Sequence, residues 1–261
     1  MRQKGERPMR HALHAEWTKT RTTPGTGRLL LAAAVLTIAL GVAADAAVTC
    51  SPTGCAEDPA KLTLTGIDLG QAVVAVVAVL MISGEYGTGM IRATLTAVPR
   101  RTTVLAAKAA VLTAMTLVAG TVAVLGSVQA GRLILPGNGF AAVPSLGDGP
   151  VLRAVVGSVV YLTLIALLSL GVATAVRDSA TAIGVVLGLL YLFPIITQVV
   201  TDPDWHRHLR QIGPMDAGLA IQATTGLRGL PIGPWEGLGV LAAWSAAALL
   251  IGGLLLRHRD A

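Results

Sequence analysis

Ser83–Lys108 reads SGEYGTGMIRATLTAVPRRTTVLAAK, a charged stretch set between two long apolar runs. It carries Glu85, Arg92, Arg100, Arg101 and Lys108 in a chain otherwise poor in charge. Short arginine-bearing segments stay on the cytoplasmic side of a membrane, so this stretch is placed inside and the runs beside it become spans. Pro99 and three glycines, Gly84, Gly87 and Gly89, punctuate it. Between them, Thr88 to Val98 suits a short amphipathic helix, with Met90, Leu95 and Val98 apolar and Arg92, Thr94 and Thr96 polar. Such a helix, held at the cytoplasmic mouth of two spans, offers a handle to a soluble partner.

The composition fits that placement. Only 13% of the 261 residues are charged, 53% are hydrophobic and the mean hydropathy is +0.69. A soluble domain carries about 25% charged residues. Half that value, with long uncharged runs, assigns an all-α polytopic membrane protein. The 30 glycines and many alanines suit helices that approach closely in lipid. A net charge of +6 is spread through the loops, which is a topology signal and no nucleic-acid patch.

Six spans are expected, at about 29–48, 68–83, 104–129, 151–176, 180–200 and 238–256. With both termini inside, fourteen basic residues fall on inner segments and six on outer ones. The second span is short for a core of about 30 Å and is expected to borrow residues from the cytoplasmic stretch. Lys108 is expected to snorkel inward. The turn Arg177-Asp178-Ser179 makes the fourth and fifth spans antiparallel neighbours. On the fifth, Gly184 and Gly188 are expected to serve local helix packing rather than a dimer seam, and Pro194 to kink the helix.

Residues 1–28 hold seven basic residues against Glu6 and Glu16. Met9 to Lys19, with Leu13 and Trp17 four apart, reads as an interfacial helix; a disordered basic tail is the alternative. Ala44-Asp45-Ala46 imitates a signal cleavage site, but the preceding basic region is long and no cleavage is expected. Asp45 is expected near the outer interface, about 24 Å of helix from Leu29. Met215 to Leu227 is too short and polar to span and reads as an interfacial or partly re-entrant outer helix. Cys50 and Cys55 lie in an outer loop, as a short disulfide or as two free thiols.

No G-x-x-x-x-G-K-[ST], H-E-x-x-H or G-x-S-x-G occurs, and no pair of acids lies mid-span. This argues against a chain with its own P-loop, a metalloprotease, a serine hydrolase and a proton antiporter. Asp202, Asp204, His206 and His208 are expected to be solvated outer residues rather than metal ligands, because an i, i+2 pair shares a face only on a strand. Gln129, Thr163, Ser169, Thr197 and Gln198 are candidates for lining a path, with internal helix packing the plainer role. For the cytoplasmic stretch the residues leave two readings open. One is a coupling helix, with Glu85 at the membrane edge near Arg92. The other is an ordinary positive-inside loop.

ISGEYGTGMIRATLTAVPRR followed by VLAAK resembles the cytoplasmic element of the type-2 ABC transporter permeases, especially a branch common in actinobacteria. There a glutamate follows the second span, a Gly-Thr or Thr-Gly pair comes next, and a proline with basic residues closes the element. Glu85, Thr88, Gly89, Arg92, Pro99, Arg100 and Arg101 match, whereas Gly87 stands where the family more often has a polar residue. The resemblance implies a six-span permease domain over 29–256, an amino-terminal segment over 1–28 and a tail over 257–261, in a bacterial plasma membrane. It implies no catalysis and no cofactor in this chain. ATP and Mg would sit on a separate ATPase, present in two copies and engaged by Glu85, Tyr86, Thr88, Gly89, Arg92, Pro99, Arg100 and Arg101 of the loop 84–103. A second permease, identical or paralogous, would complete an exporter of a hydrophobic or amphiphilic substrate. A sensor or immunity protein docking the same ATPase, and a membrane enzyme using the outer acids and histidines, are the alternatives.

Overall fold

Aliphatic runs that must cross lipid have no water to satisfy their backbone, so each closes its hydrogen bonds within a helix. The computed structural model describes residues 3–22, 24–50, 55, 57–90, 94, 96, 101–140 and 144–258. Among them there is no strand, and six helical stretches are long and apolar enough to cross a membrane. They are Gly25–Ala47, Pro59–Gly87, Arg101–Asn138, Gly149–Val176, Ser179–Val199 and Pro234–His258. The chain is an all-α, multi-pass membrane protein.

The helices in order are α1 (Gln3–Thr22), α2 (Pro24–Ala47), α3 (Pro59–Leu64), α4 (Ile67–Gly87), α5 (Arg101–Ile134) and α6 (Gly149–Val176). Then come α7 (Ser179–Leu187), α8 (Phe193–Val199), α9 (Pro203–Ile212), α10 (Pro214–Leu219) and α11 (Pro234–His258). Six crossings return the chain to the end where α1 lies. We call this the amino-terminal end, and the opposite one the disulfide end, because Cys50 and Cys55 are bonded there with Cα atoms 5.0 Å apart.

The centre of the bundle is α6, packed on α4, α5 and α11. Its Tyr161, Leu162, Ile165, Leu168 and Leu170 are buried. Small residues let α6 and α11 touch at the backbone. A Cβ on Gly252 would stand 2.6 Å from the Gly171 carbonyl oxygen, and one on Gly171 would meet Ala248 and Leu249.

The second span departs from its sequence reading. It reaches down to Gly87, as its shortness demanded, but it also extends toward the disulfide end through α3. Asp58 caps α3 by accepting the Ala60 and Lys61 amides, and Pro59 takes the first helical position, where a missing N–H costs nothing. One of the polar residues that disguised this segment is used inside: Thr63 is buried and donates to the Asp45 carboxylate at 3.1 Å, while Lys61 and Thr65 stay exposed. Asp45 is itself buried rather than spread on a surface.

The fifth span is interrupted. A π turn over Gly188–Leu192 precedes α8, whose first turn holds Pro194. The wide turn accommodates a residue that lacks an N–H and clashes with the preceding turn. Gly184 and Gly188 do not pack locally as expected: a Cβ on either would meet nothing within 4 Å. Met215 to Leu227 folds as α10 and a 3-10 turn whose Ala217, Gly218 and Ile221 are buried against α6 and α11.

Candidate functional site

Helix α1 is the first component. It runs well beyond the expected Met9–Lys19, and Ala12 and Glu16, one turn apart, are buried against α5. Helix α4 is the second. Glu85 lies in its last turn, where the helix dipole disfavours a carboxylate unless cations compensate. Helix α5 supplies one, Lys108, two turns from its start.

These groups form one network of two carboxylates and two ammoniums. Lys108 Nζ donates to Glu16 Oε2 at 2.8 Å and to Glu85 Oε1 at 2.7 Å. Lys19 Nζ donates to Glu16 Oε1 at 3.1 Å and to Glu85 Oε1 at 2.9 Å. Lys108 is only 1% exposed, so it does not snorkel into a headgroup layer as its sequence position suggested. The reason is energetic: an ammonium held between two carboxylates keeps its charge out of lipid at lower cost than one left bare. Burial lowers the Lys19 pKa, and the Glu85 hydrogen bond with the charges of Glu16 and Glu85 outweighs it, so Lys19 is held above its ordinary value.

The network reaches the segment after α4. Thr88 caps the helix and Gly89 turns away with φ +72°, a left-handed conformation suited to glycine. Beyond it Met90, Thr94 and Thr96 are helical, and Lys19 Nζ donates to Thr94 Oγ1 at 3.1 Å. Arg92, Pro99 and Arg100 lie outside the described residues. The structure therefore brings Glu85 to Lys19 and Lys108, and says nothing of a contact with Arg92. An open cleft of about 460 Å³ lies here, edged by Glu16, Lys19, Glu85, Met90 and Lys108.

Tyr86 and Arg101 belong to the neighbouring layer. The Arg177 guanidinium sits 5.4 Å from the Tyr86 ring centre, within cation–π range. Arg177 is held in the left-handed region, φ +65°, where the chain turns from α6 into α7. Arg101 donates to the Leu256 carbonyl at 2.8 Å and Arg177 approaches that of Leu255 at 3.5 Å. Both arginines thus serve the last carbonyls of α11, where the helix dipole favours cations.

A second polar cluster, missed in the sequence, lies toward the disulfide end. Tyr161 donates to Gln71, whose amide donates to the Asp68 carbonyl at 3.0 Å; Tyr191 donates to the same carbonyl at 2.5 Å. Its sequence signals are Gln71, Tyr161 and Tyr191, single polar groups inside the aliphatic second, fourth and fifth spans. Nearby, burial pushes the Asp216 carboxyl up against the opposing charges of Arg210 and His206.

Thr163 and Ser169 return their hydroxyls to the carbonyls of Val159 and Ile165, and Thr197 to that of Pro194. Gln129 and Gln198 are exposed. Asp202 caps α9, His208 bonds the Asp204 carbonyl, and no metal-holding group of His, Cys, Asp or Glu occurs among the described residues. A family sequence model described as ABC-2 family transporter protein matches residues 12–195. No curated protein matches the chain.

Proposed function

The chain belongs to the ABC-2 family of transporter proteins, and from that membership we propose that it exports a hydrophobic or amphiphilic substrate on ATP hydrolysed elsewhere. As a family member it is a membrane permease subunit of an ABC transporter, a transport subunit rather than a catalytic one. In our reading the amino-terminal end faces the cytoplasm of a bacterium and receives two copies of an ATP-binding subunit that hold ATP and Mg. A second permease, identical or paralogous, completes the path. The exposed faces of Gly184 and Val185 on α7 support a partner on that side.

The observation that carries the coupling reading is the reach of Lys19. One ammonium bonds Glu16 of α1, Glu85 at the end of α4 and Thr94 of the loop 84–103. The amino-terminal segment and the loop therefore present one surface. A displacement of that surface passes to α4 through Glu85 and to α5 through Lys108. Closure of an ATPase dimer would supply the displacement, and the permease domain over 29–256 would convert it into alternating access.

The test uses the chain in its native membrane. Met90 is exposed on the helical turn after Gly89. Wild type is expected to co-purify with a P-loop ATPase, and Met90→Glu combined with Arg92→Ala to lose it while melting at the wild-type temperature. A wild-type chain that retains no ATPase ends this reading.

A further inference from the structure

A groove of about 380 Å³ runs between α1, α2 and α5. Its walls include Trp17 of α1, Gly27, Leu31 and Ala34 of α2, and Ala114 and Val122 of α5. Helices α2 and α5 run the same way here. The lining extends about 10 Å along α2 and about 12 Å along α5 at 1.5 Å per residue, which lies within the roughly 15 Å depth of one leaflet. The groove opens sideways onto Leu31, Val118 and Val122, which are 69%, 69% and 57% exposed. Such a shape suits a single apolar chain lying along the helices.

The mouth of the groove is charged. Arg28 follows Gly27 and stands one turn before Leu31, on the same side of α2. It is exposed and, among the described residues, has no hydrogen-bond or ion-pair partner. Trp17 flanks the mouth, 42% exposed, where an indole suits a headgroup layer. The first 28 residues hold seven basic residues against two acids, and Glu16 is already engaged by two lysines. Among the described residues Arg28 is thus an uncompensated positive charge at the mouth, and it complements an anion. A second copy of this chain would bring like charge to the same place.

We propose that this groove seats one acyl chain of an anionic phospholipid, with the lipid phosphate on Arg28 and the glycerol region beside Trp17. The lipid would then occupy the corner where α1 joins α2, next to Lys19 and the network it completes. Its binding stabilises the docked position of α1. The proposal does not depend on an ATPase partner and can stand or fall without it.

The experiment reads Trp17 directly. In a variant carrying Trp205→Phe, Trp235→Phe and Trp244→Phe, the chain is reconstituted into nanodiscs containing phosphatidylcholine or phosphatidylglycerol with brominated acyl chains. Quenching by brominated phosphatidylglycerol is expected to show about fivefold tighter apparent binding than by phosphatidylcholine, the scale of one basic residue at a membrane surface. Arg28→Gln is expected to abolish that preference and Arg28→Lys to keep it. Ala119 of α5 also lines the groove, and Ala119→Phe, which fills it, is expected to weaken quenching by both lipids. Phosphatidylglycerol retained by the unmodified wild-type chain after delipidation, counted by native mass spectrometry, should exceed that retained by Arg28→Gln. Equal quenching by the two lipids, or a preference unchanged in Arg28→Gln, overturns the proposal. So does a preference that survives Ala119→Phe and vanishes with salt, since that outcome means diffuse attraction to the basic segment.

Discussion

At the amino-terminal end, three helices are joined by the tips of long side chains: Glu16 of α1, Glu85 of α4 and Lys108 of α5, with Lys19 closing the group. At the disulfide end, the joints are short and stiff. Cys50 is bonded to Cys55, and the Asp58 carboxylate accepts the Thr224 amide and hydroxyl and the Thr225 amide. Backbones there meet without side chains between them: a Cβ on Gly237 would stand 1.9 Å from the Ala217 carbonyl oxygen. The first kind of joint can exchange partners by rotating side-chain torsions, whereas the second yields only if backbone moves. The difference separates the joint of α1, α4 and α5, suited to yielding to a displacement, from the joints of the disulfide end, suited to resisting it.

Removing Lys108 should break the comparison most forcefully. Lys108→Met leaves two buried carboxylates with one ammonium, and loss of one partner of a buried pair costs about 3–5 kcal/mol. A large fall in melting temperature in detergent is expected. Adding Glu85→Gln restores neutrality with Glu16 and Lys19 and should recover most of it. A Lys108→Met chain that melts like wild type would show that the amino-terminal end is not held by charge.

Reduction of the disulfide tests the stiff end. Closing so short a loop is worth about 2 kcal/mol in chain entropy. Hydrogen exchange should quicken at Cys50, whose amide donates to the Asn138 carbonyl at 2.9 Å. Exchange around Glu85 should stay unchanged. A matching change at both ends would mean that they are coupled and the contrast is false.

Acid provides the smallest effect. Hydrogen bonds from Thr224, Thr225 and Lys61 outweigh the burial of Asp58 and hold its carboxyl below the ordinary value of 3.8. Its contribution is therefore complete above that ordinary value and is lost as pH falls through the lower folded value. Asp58→Asn keeps a capping side chain but removes the charge that accepts the Thr224 and Thr225 amides, and should remove this part of the acid sensitivity. An Asp58→Asn chain with an unchanged acid melting profile would remove Asp58 from the stiff end's supports.

The sequence reading located six spans because aliphatic runs report burial in lipid directly. It lost α3, because Lys61, Thr63 and Thr65 read as a polar loop until Asp45 is seen beside Thr63. It read Glu85 as a candidate but missed its partners, since Glu16 looks like a stray acid in a basic tail and lies 92 positions from Lys108. Hydropathy sums over neighbours in sequence and is blind to pairs made across the bundle. The glycines of the fifth span erred for a related reason: G-x-x-x-G states that a backbone can be approached, and Gly184 and Gly188 have nothing in front of them in this chain.

The four charges at the amino-terminal end cancel. A membrane potential does work of about 2.3 kcal/mol per elementary charge per 100 mV on charge that crosses it. Two lysines and two glutamates that shift together carry no net charge, so voltage neither drives nor opposes their common motion. Only a step that parts them, such as Lys19 leaving Glu85 with the rest in place, would be felt as a gating current. On the proposed coupling role, a body built this way would transmit a mechanical stroke with the same effort in an energised membrane as in a depolarised one.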